Sequence, residues 1–118
     1  MAKRVFIVDD ALFMREMLKK ILIKNGYDVV GSASNGIEAL EMLKNINTDI
    51  VTLDLTMPRM DGLQFLEEIN KIGFDYKVVV VSAIAQEYNV RTAISLGASD
   101  FIQKPYEIAN ILSVLERL

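Results

Sequence analysis

Cysteine and histidine are both absent from the 118-residue chain. Without them, the protein cannot form a Ser-His-Asp or Cys-His nucleophile, or the usual nitrogen and sulfur site for zinc. Any chemistry must therefore use carboxylates, hydroxyls, lysine and a hard metal ion. The lack of cysteine also fits a reducing compartment.

Basic runs and long apolar runs are missing as well. The net charge is -3 and the pI is near 4.9, whereas proteins that bind the nucleic acid backbone carry clustered lysine and arginine. No apolar stretch approaches the roughly 18 residues of a membrane span, and the N-terminus lacks the pattern of a signal peptide. We therefore expect a cytoplasmic protein that binds neither nucleic acid nor a membrane.

The composition, with 52% hydrophobic and 25% charged residues, predicts one domain spanning residues 1–118. A chain of this length can bury a sufficient core without metals or disulfides. We find no internal repeat and no low-complexity segment, and we expect a monomer.

Five β-rich runs alternate with five segments of helical periodicity. In the helical segments apolar residues recur at steps of three and four, and these series include Ile72, Ile94 and Ile108. Strict alternation of this kind predicts an α/β fold with a parallel sheet and helices on both faces. The five runs are Val5–Val8, Tyr27–Ala33, Asp49–Asp54, Lys77–Ser82 and Asp100–Gln103.

The polarity of the runs predicts the order of the strands. The first and fourth runs are apolar throughout and the third is nearly so, which is typical of central strands buried on both faces. The second and fifth runs are more polar and should lie outside. A doubly wound, flavodoxin-like (βα)5 domain with strand order 2-1-3-4-5 satisfies both conditions with right-handed crossovers.

Polar residues follow four of these strands at the same edge of the sheet. Asp9 and Asp10 follow strand one, Asp54 ends strand three, Ser82 ends strand four and Lys104 follows strand five. In an open parallel sheet, ligands bind beyond the carboxyl ends of the strands, where the winding direction reverses. We therefore expect three carboxylates, one hydroxyl and one ammonium group to converge there.

Each of these residues also has a simpler interpretation. Asp10 alone is as well explained as a helix N-cap, Ser82 as a hydroxyl that bonds to backbone, and Lys104 as a solvated charge. An N-cap role is a poor explanation for Asp54, because the next helix begins only near Asp61 and Pro58 intervenes.

Taken together, the residues predict a phosphoryl site that uses Mg²⁺. Three neighbouring carboxylates repel one another unless a cation relieves the repulsion, and oxygen ligands with few carboxylates suit Mg²⁺. A carboxylate can itself be a nucleophile that forms an aspartyl phosphate. Asp54, which lies centrally, is the candidate acceptor, and Lys104 and Ser82 could bind the phosphoryl oxygens.

The segments VFIVDD, LDLTMPRMDG, VVVVSA and FIQKP occur in this order and at the spacing of a known family. With them, the chain resembles the response-regulator receiver domain over nearly its whole length, and within that family the stand-alone chemotaxis type, CheY-like. The 2-1-3-4-5 order is one for which CheY is a standard example. The resemblance implies a signalling protein, and no enzyme beyond its own phosphorylation and dephosphorylation.

The resemblance also implies roles for individual residues. Asp9 and Asp10 would form the metal pocket with Asp54, the phosphorylated residue, and with the backbone carbonyl of Thr56. Lys104 would pair with the phosphate, and its bond to Pro105 is expected to be cis.

A switch between Ser82 and Phe101 is implied as well. Phosphorylation would draw Ser82 inward and let Phe101 move, which changes the face formed by helix 4, strand 5 and helix 5. We expect Val90, Phe101 and Tyr106 on or near that face. The implied partners are a histidine kinase as phosphodonor and an output protein such as a flagellar motor component or a phosphatase. By the same resemblance, Thr56 and Ile84 tune the access of water to the phosphate.

Three other functions compete with this one. A phosphatase of the haloacid-dehalogenase type would need a second aspartate where Thr56 stands, and a flavin-binding module would need a Ser/Thr/Gly-rich phosphate loop in place of DDALF. A phosphorelay intermediate or phosphate sink would use the same receiver chemistry, and the sequence separates it only weakly from a chemotaxis regulator.

Overall fold

Five parallel strands and five helices alternate along the chain in the computed structural model, which describes residues 2–83 and 86–118. The predicted alternation is therefore confirmed. The elements are β1 Arg4–Val8, α1 Leu12–Lys24, β2 Asp28–Ala33, α2 Gly36–Leu43, β3 Ile50–Leu53, α3 Gly62–Ile72, β4 Lys77–Ser82, α4 Glu87–Ser95, β5 Ala98–Gln103 and α5 Ile108–Glu116.

The sheet has the predicted order, β2-β1-β3-β4-β5, and all neighbouring strands are parallel. β1 and β3 lie side by side, with Val8 opposite Leu53. β5 begins two residues earlier than predicted, at Ala98, because that residue pairs with Val78 ahead of an irregularity in the register. The reversal of winding direction lies between β1 and β3, where the sequence predicts the site.

Each face of the sheet carries its own hydrophobic layer. The layer that we call the α2–α4 layer contains Phe6, Val51, Leu53 and Val80 from the strands, and Phe65 and Ala93 from the helices. The layer on the other face, the α1–α5 layer, contains Val5, Ile7, Val79 and Ile102, with Leu18, Leu22, Ile111 and Leu115 from the helices. Successive residues of β1, β3 and β4 contribute to opposite layers, as the two-residue period of a strand requires.

Side-chain caps begin two helices. Asn35 accepts a hydrogen bond from the Glu38 N–H at the start of α2. At the start of α3, Asp61 and Gln64 form a reciprocal capping box, in which each side chain accepts from the other residue's backbone N–H. These caps fix where the connections from β2 and β3 end.

Three of the apolar residues in the predicted helical series are exposed. Ile72 at the end of α3 is 75% exposed, and Ile94 on α4 and Ile108 on α5 are also exposed. Periodicity identifies the helix but does not distinguish a buried face from an apolar surface. None of the helices in the described part of the chain is long and apolar enough to cross a membrane.

Candidate functional site

The register of β1 and β3 places Asp9 beside Asp54. Val8 pairs with Leu53, and the Asp54 N–H donates to the Val8 carbonyl at 2.9 Å. Each aspartate is therefore the first residue past the end of its strand, at the same edge of the sheet. Both are buried, with 7% of their surface exposed, so their charges need partners.

Lys104 supplies the positive charge that both carboxylates share. Its Nζ lies 2.6 Å from Asp9 Oδ2 and 2.9 Å from Asp54 Oδ2. The Lys104 N–H donates to the Ser82 carbonyl, which continues the β4–β5 pairing past the end of β5. The Lys104–Pro105 bond is cis, as expected. Lys104 is half-buried, and its interpretation as a solvated charge is wrong.

Backbone N–H groups bind the other oxygen of each carboxylate. Asp9 Oδ1 accepts from the Ala11 N–H, and Asp54 Oδ1 accepts from the Thr56 N–H, both at 2.9 Å. Each carboxylate is therefore held by a backbone N–H two residues on and by the Lys104 ammonium. Because both oxygens are bound, the two carboxyl groups are fixed in orientation relative to one another.

The pKa of Lys104 reflects its two partners. Burial lowers the pKa, since a charged group loses hydration, but hydrogen bonds and charge attraction from Asp9 and Asp54 outweigh the burial and raise the pKa above its ordinary value. The lysine therefore carries its full positive charge at neutral pH.

Asp10 completes a group of three carboxylates. One oxygen from each of Asp9, Asp10 and Asp54 lies within 4.8 Å of the others, and Asp10 is exposed. Together, the three carboxylates and the ammonium group of Lys104 carry two formal negative charges. An all-oxygen donor set with an exposed ligand and excess negative charge fits a hard divalent cation that keeps part of its water shell.

The N-cap interpretation of Asp10 is wrong. The N-cap of α1 is Ala11, which has no side-chain cap. The carboxylate of Asp10 therefore does not cap α1.

Ser82 and Phe101 lie on adjacent strands, on the same side of the sheet. Phe101 pairs with Val80, and Ser82 pairs with Gln103. Val80 and Phe101 both contact the α2–α4 layer, and Ser82, two residues after Val80, faces the same side. Ser82 is fully buried and Phe101 half-buried.

Close packing holds the loop behind Asp54. A Cβ built on Gly62 would lie 2.4 Å from the Asp54 carbonyl oxygen and 2.7 Å from Leu55 Cα. Only glycine permits α3 to begin so close to the end of β3. The Gly62 N–H donates to the Leu55 carbonyl at 3.0 Å, which joins the helix start to the loop.

The sequence named Tyr106 only by resemblance, as a residue on or near the face of α4, β5 and α5, and it did not name Arg15. Arg15, on the first turn of α1, donates to the Asp9 backbone carbonyl at 2.6 Å. The sequence held one possible signal for Arg15: it is a basic residue on the first turn of the helix that comes directly after Asp9 and Asp10. Tyr106 follows Lys104 by two residues, and its ring packs against the α1–α5 layer. No sequence pattern marked its hydroxyl.

The other residues named from the sequence are distributed around the site. Thr56 is exposed in the β3–α3 loop, and Val90 is half-buried on α4. Tyr106 packs on the opposite side of the sheet from Phe101. Ile84 lies outside the described residues.

Comparisons with known proteins agree on one family. The model of the response regulator receiver domain matches residues 5–116. The chemotaxis protein CheY of Thermotoga maritima is 49% identical over 118 residues, which cover 100% of this chain and 98% of that protein. CheY of Bacillus subtilis is 46% identical over 117 residues, with coverage of 99% and 98%.

A solved structure has nearly the same backbone. A chain in the crystal structure of the CheX–CheY–BeF3–Mg²⁺ complex from Borrelia burgdorferi matches with a TM-score of 0.93 and 37% identity, over 98% of this chain and 87% of that chain. This match and the strand order together show a fold of the receiver type.

Proposed function

The chain belongs to the response regulator receiver domain family and is closely related to CheY chemotaxis proteins, and from this premise we propose that Asp54 accepts a phosphoryl group and thereby switches the binding of partner proteins. We propose residues 1–118 as the receiver domain. The observation that carries the proposal is the shared contact of Asp9 and Asp54 with Lys104. This contact holds two carboxylates and one cation together at the carboxyl edge of the sheet, which supports the proposed roles.

Asp54 is suited to the role of nucleophile because its carboxylate is held from two directions. Thr56 N–H and Lys104 Nζ bind its two oxygens. In the transfer, a carboxylate oxygen of Asp54 attacks the phosphorus of a phosphohistidine, the P–N bond breaks, and the imidazole leaves with the electron pair. The chain has no histidine, so a phosphohistidine donor must come from another protein, which we propose to be a histidine kinase.

Asp9, Asp10 and Asp54 are the residues that would hold Mg²⁺, with the backbone carbonyl of Thr56 as a further ligand. The support for this is the approach of the three carboxylates to within 4.8 Å and the preference of Mg²⁺ for oxygen ligands. When bound, the ion would neutralise charge on the phosphoryl oxygens. Lys104 would keep its ammonium group directed at the same oxygens, and its raised pKa keeps it charged.

The switch that we propose joins Ser82 to Phe101. A phosphoryl oxygen on Asp54 would offer the Ser82 hydroxyl an acceptor, and Phe101 would fill the space that the serine leaves. The support is that both residues lie on the same side of adjacent strands. The ligand shifts the population between two arrangements because it binds only one of them well.

The face formed by α4, β5 and α5 is the surface that we propose for output partners. Two of these elements carry large exposed side chains, Tyr88 and Ile94 on α4 and Ile108 on α5, and contiguous apolar patches mark interaction sites. Chemotaxis is the proposed process, with a flagellar motor component or a phosphatase as the output partner, because the similar proteins include CheY of several organisms. The proposed compartment is the cytoplasm, and the proposed state is a monomer.

The alternatives have less support. The position that a dehalogenase-type phosphatase needs as aspartate is Thr56, which binds Asp54 only through its N–H. A role as phosphorelay intermediate or phosphate sink is not favoured by the similarity to CheY proteins over the full chain.

Mass spectrometry after incubation with acetyl phosphate and Mg²⁺ tests the nucleophile. We expect one phosphoryl group on Asp54, absent when a chelator replaces Mg²⁺ and absent in Asp54→Asn. Asp61→Asn is the matched control, because it removes a carboxylate from the same loop while asparagine still caps α3. Labelling that persists in Asp54→Asn refutes the assignment of Asp54.

A further inference from the structure

A very short connection between β1 and α1 carries two of the carboxylates proposed for Mg²⁺. β1 ends at Val8 and α1 begins at Leu12, so Asp9 and Asp10 lie directly between a strand and a helix. The start of α1 has no side-chain cap at Ala11 and no acidic residue in its first turn. Two common means of fixing the start of a helix are therefore absent here.

Arg15 holds this connection at two points. Its backbone N–H donates to the Ala11 carbonyl at 3.0 Å, and its guanidinium Nη1 donates to the Asp9 carbonyl at 2.6 Å. The two acceptors belong to the residues on either side of Asp10. The Asp9 carbonyl is also part of the planar peptide group that leads into Asp10, so the guanidinium fixes the direction in which the backbone enters that residue.

Asp10 depends on its backbone more than Asp9 does. The Asp9 carboxylate binds Lys104 Nζ and the Ala11 N–H, and its own N–H donates to the Ala33 carbonyl at 3.1 Å. Asp10 is exposed, and no side chain or N–H group in residues 2–83 and 86–118 lies within bonding distance of its carboxylate. The position of the Asp10 carboxylate beside the other two is therefore set by the backbone that Arg15 holds.

The Arg15 side chain has two opposite effects on a divalent ion at this site. Its positive charge repels the ion and weakens binding. Its bond to the Asp9 carbonyl strengthens binding, because a ligand that is already in place loses less conformational freedom when the ion arrives. The affinity for Mg²⁺ with and without the guanidinium therefore shows which effect is larger.

We propose that Arg15 is a positioning residue for the Mg²⁺ site, and that its hold on the backbone of Asp10 outweighs the repulsion between its charge and the ion. The inference rests on the proposed function, in which Asp10 is one of the ligands. Removal of a group that orients metal ligands commonly costs about tenfold or more in metal affinity. The repulsion is smaller, because Arg15 is only half-buried and water and salt screen its charge.

The test measures Mg²⁺ affinity by titration calorimetry in Arg15→Met, Arg15→Lys and Lys19→Met. Lys19 is exposed one turn further along α1, so Lys19→Met is the control that removes a positive charge without touching the connection. We expect Arg15→Met to bind Mg²⁺ about tenfold more weakly than the wild type, and Lys19→Met to differ by less than about twofold. An Arg15→Met protein that binds Mg²⁺ as tightly as the wild type, or more tightly, overturns the proposal.

Arg15→Lys tests the hydrogen bond at constant charge. An ammonium group keeps the positive charge and can donate to the Asp9 carbonyl, but it lacks the rigid planar geometry of guanidinium. Its Mg²⁺ affinity should therefore lie between those of the wild type and Arg15→Met. An affinity below that of Arg15→Met would mean that charge repulsion dominates, which contradicts the proposal.

A double-mutant cycle with Asp10→Asn separates positioning from a general loss of structure. If Arg15 acts through Asp10, Arg15→Met should not weaken Mg²⁺ binding in the Asp10→Asn background, where the ligand that it positions is already lost. An equal loss of affinity in both backgrounds refutes the proposal. Thermal unfolding without Mg²⁺ accompanies each titration and shows that the variant is folded. A wild-type protein that does not bind Mg²⁺ refutes the metal site of the proposed function itself, and with it this inference.

Discussion

Asp9 and Asp54 bind the same ammonium group, with Lys104 Nζ 2.6 Å from an oxygen of the first and 2.9 Å from an oxygen of the second. The lysine thus compensates part of the charge that a divalent ion would otherwise have to neutralise. Because all three groups are mostly buried, the stability of the unliganded protein and its affinity for cations depend on the same residues.

Replacing Lys104 by methionine should strongly destabilise the unliganded protein. The change leaves two buried carboxylates without their cation, and breaking such a pair costs about 3 kcal/mol. Urea unfolding without divalent ions measures the loss. Added Mg²⁺ should stabilise the variant more than the wild type, because the ion restores the missing positive charge and binds only the folded state.

Lys71→Met is the matched control for Lys104→Met. Lys71 pairs with Glu68 at 3.1 Å on the surface of α3, where both side chains are well exposed. An exposed pair of this kind contributes less than about 0.5 kcal/mol. Equal losses in the two variants would contradict the idea that Lys104 compensates buried charge.

The sequence predicted the strand order and the convergence of Asp9, Asp54 and Lys104, because burial of the strands and the parallel topology determine both. The bonds among these side chains were beyond prediction, since they depend on side-chain conformation. That Lys104 serves both acids, and that Arg15 binds the Asp9 carbonyl, follows only from the tertiary structure. The sequence also could not show that Ile94 and Ile108 are exposed. Apolar residues on the surface of a helix recur at the same spacing as apolar residues that face the core.

Gly62→Ala should destabilise the protein, although alanine usually stabilises a helix by about 1 kcal/mol relative to glycine. The added Cβ would lie 2.4 Å from the Asp54 carbonyl oxygen, so the backbone that carries Asp54 must move. We expect a loss of about 2 kcal/mol or more, measured by urea unfolding, and slower phosphorylation by acetyl phosphate.

Gly73→Ala provides the comparison for Gly62→Ala. Gly73 has a φ of 83° and no atom within 4 Å of a built Cβ, so alanine there suffers only backbone strain, about 1 kcal/mol. Its phosphorylation rate should equal that of the wild type. A Gly62→Ala protein as stable and as readily phosphorylated as the wild type would contradict the close packing behind Asp54.

Arg59→Asn should stabilise the protein by about 0.5 to 1 kcal/mol. Arg59 has a φ of 68° and is the centre of a tight turn in which the Met60 N–H donates to the Pro58 carbonyl at 2.8 Å. Asparagine tolerates positive φ better than arginine. Arg59→Ala is the control, because it removes the same charge without relieving the backbone strain. Thermal unfolding measures the stability of both variants. An equal gain in stability in the two would mean that the loss of charge, and not the relief of strain, stabilises the protein.

Alkaline pH should destabilise the fold partly through Tyr76. Burial, followed by the nearby charge of Asp75, raises the pKa of its hydroxyl from 10.0 to about 12, and its ring packs against Phe74 with centroids 5.1 Å apart. The folded protein therefore keeps this proton at a pH where the unfolded chain has lost it. By linkage, the contribution of Tyr76 to stability is fully present below pH 10 and is lost as the pH rises to about 12.

Tyr76→Phe isolates this contribution, because it keeps the ring and removes the ionisable group. Urea unfolding at a series of pH values from neutral to alkaline should show a shallower decline for the variant above the ordinary tyrosine pKa. Absorbance titration of the folded wild type should show a tyrosine that ionises near pH 12, and the variant should lack it. Parallel declines in the two proteins would mean that Tyr76 ionises as easily in the folded state as in the unfolded chain, so that its burial does not protect the proton.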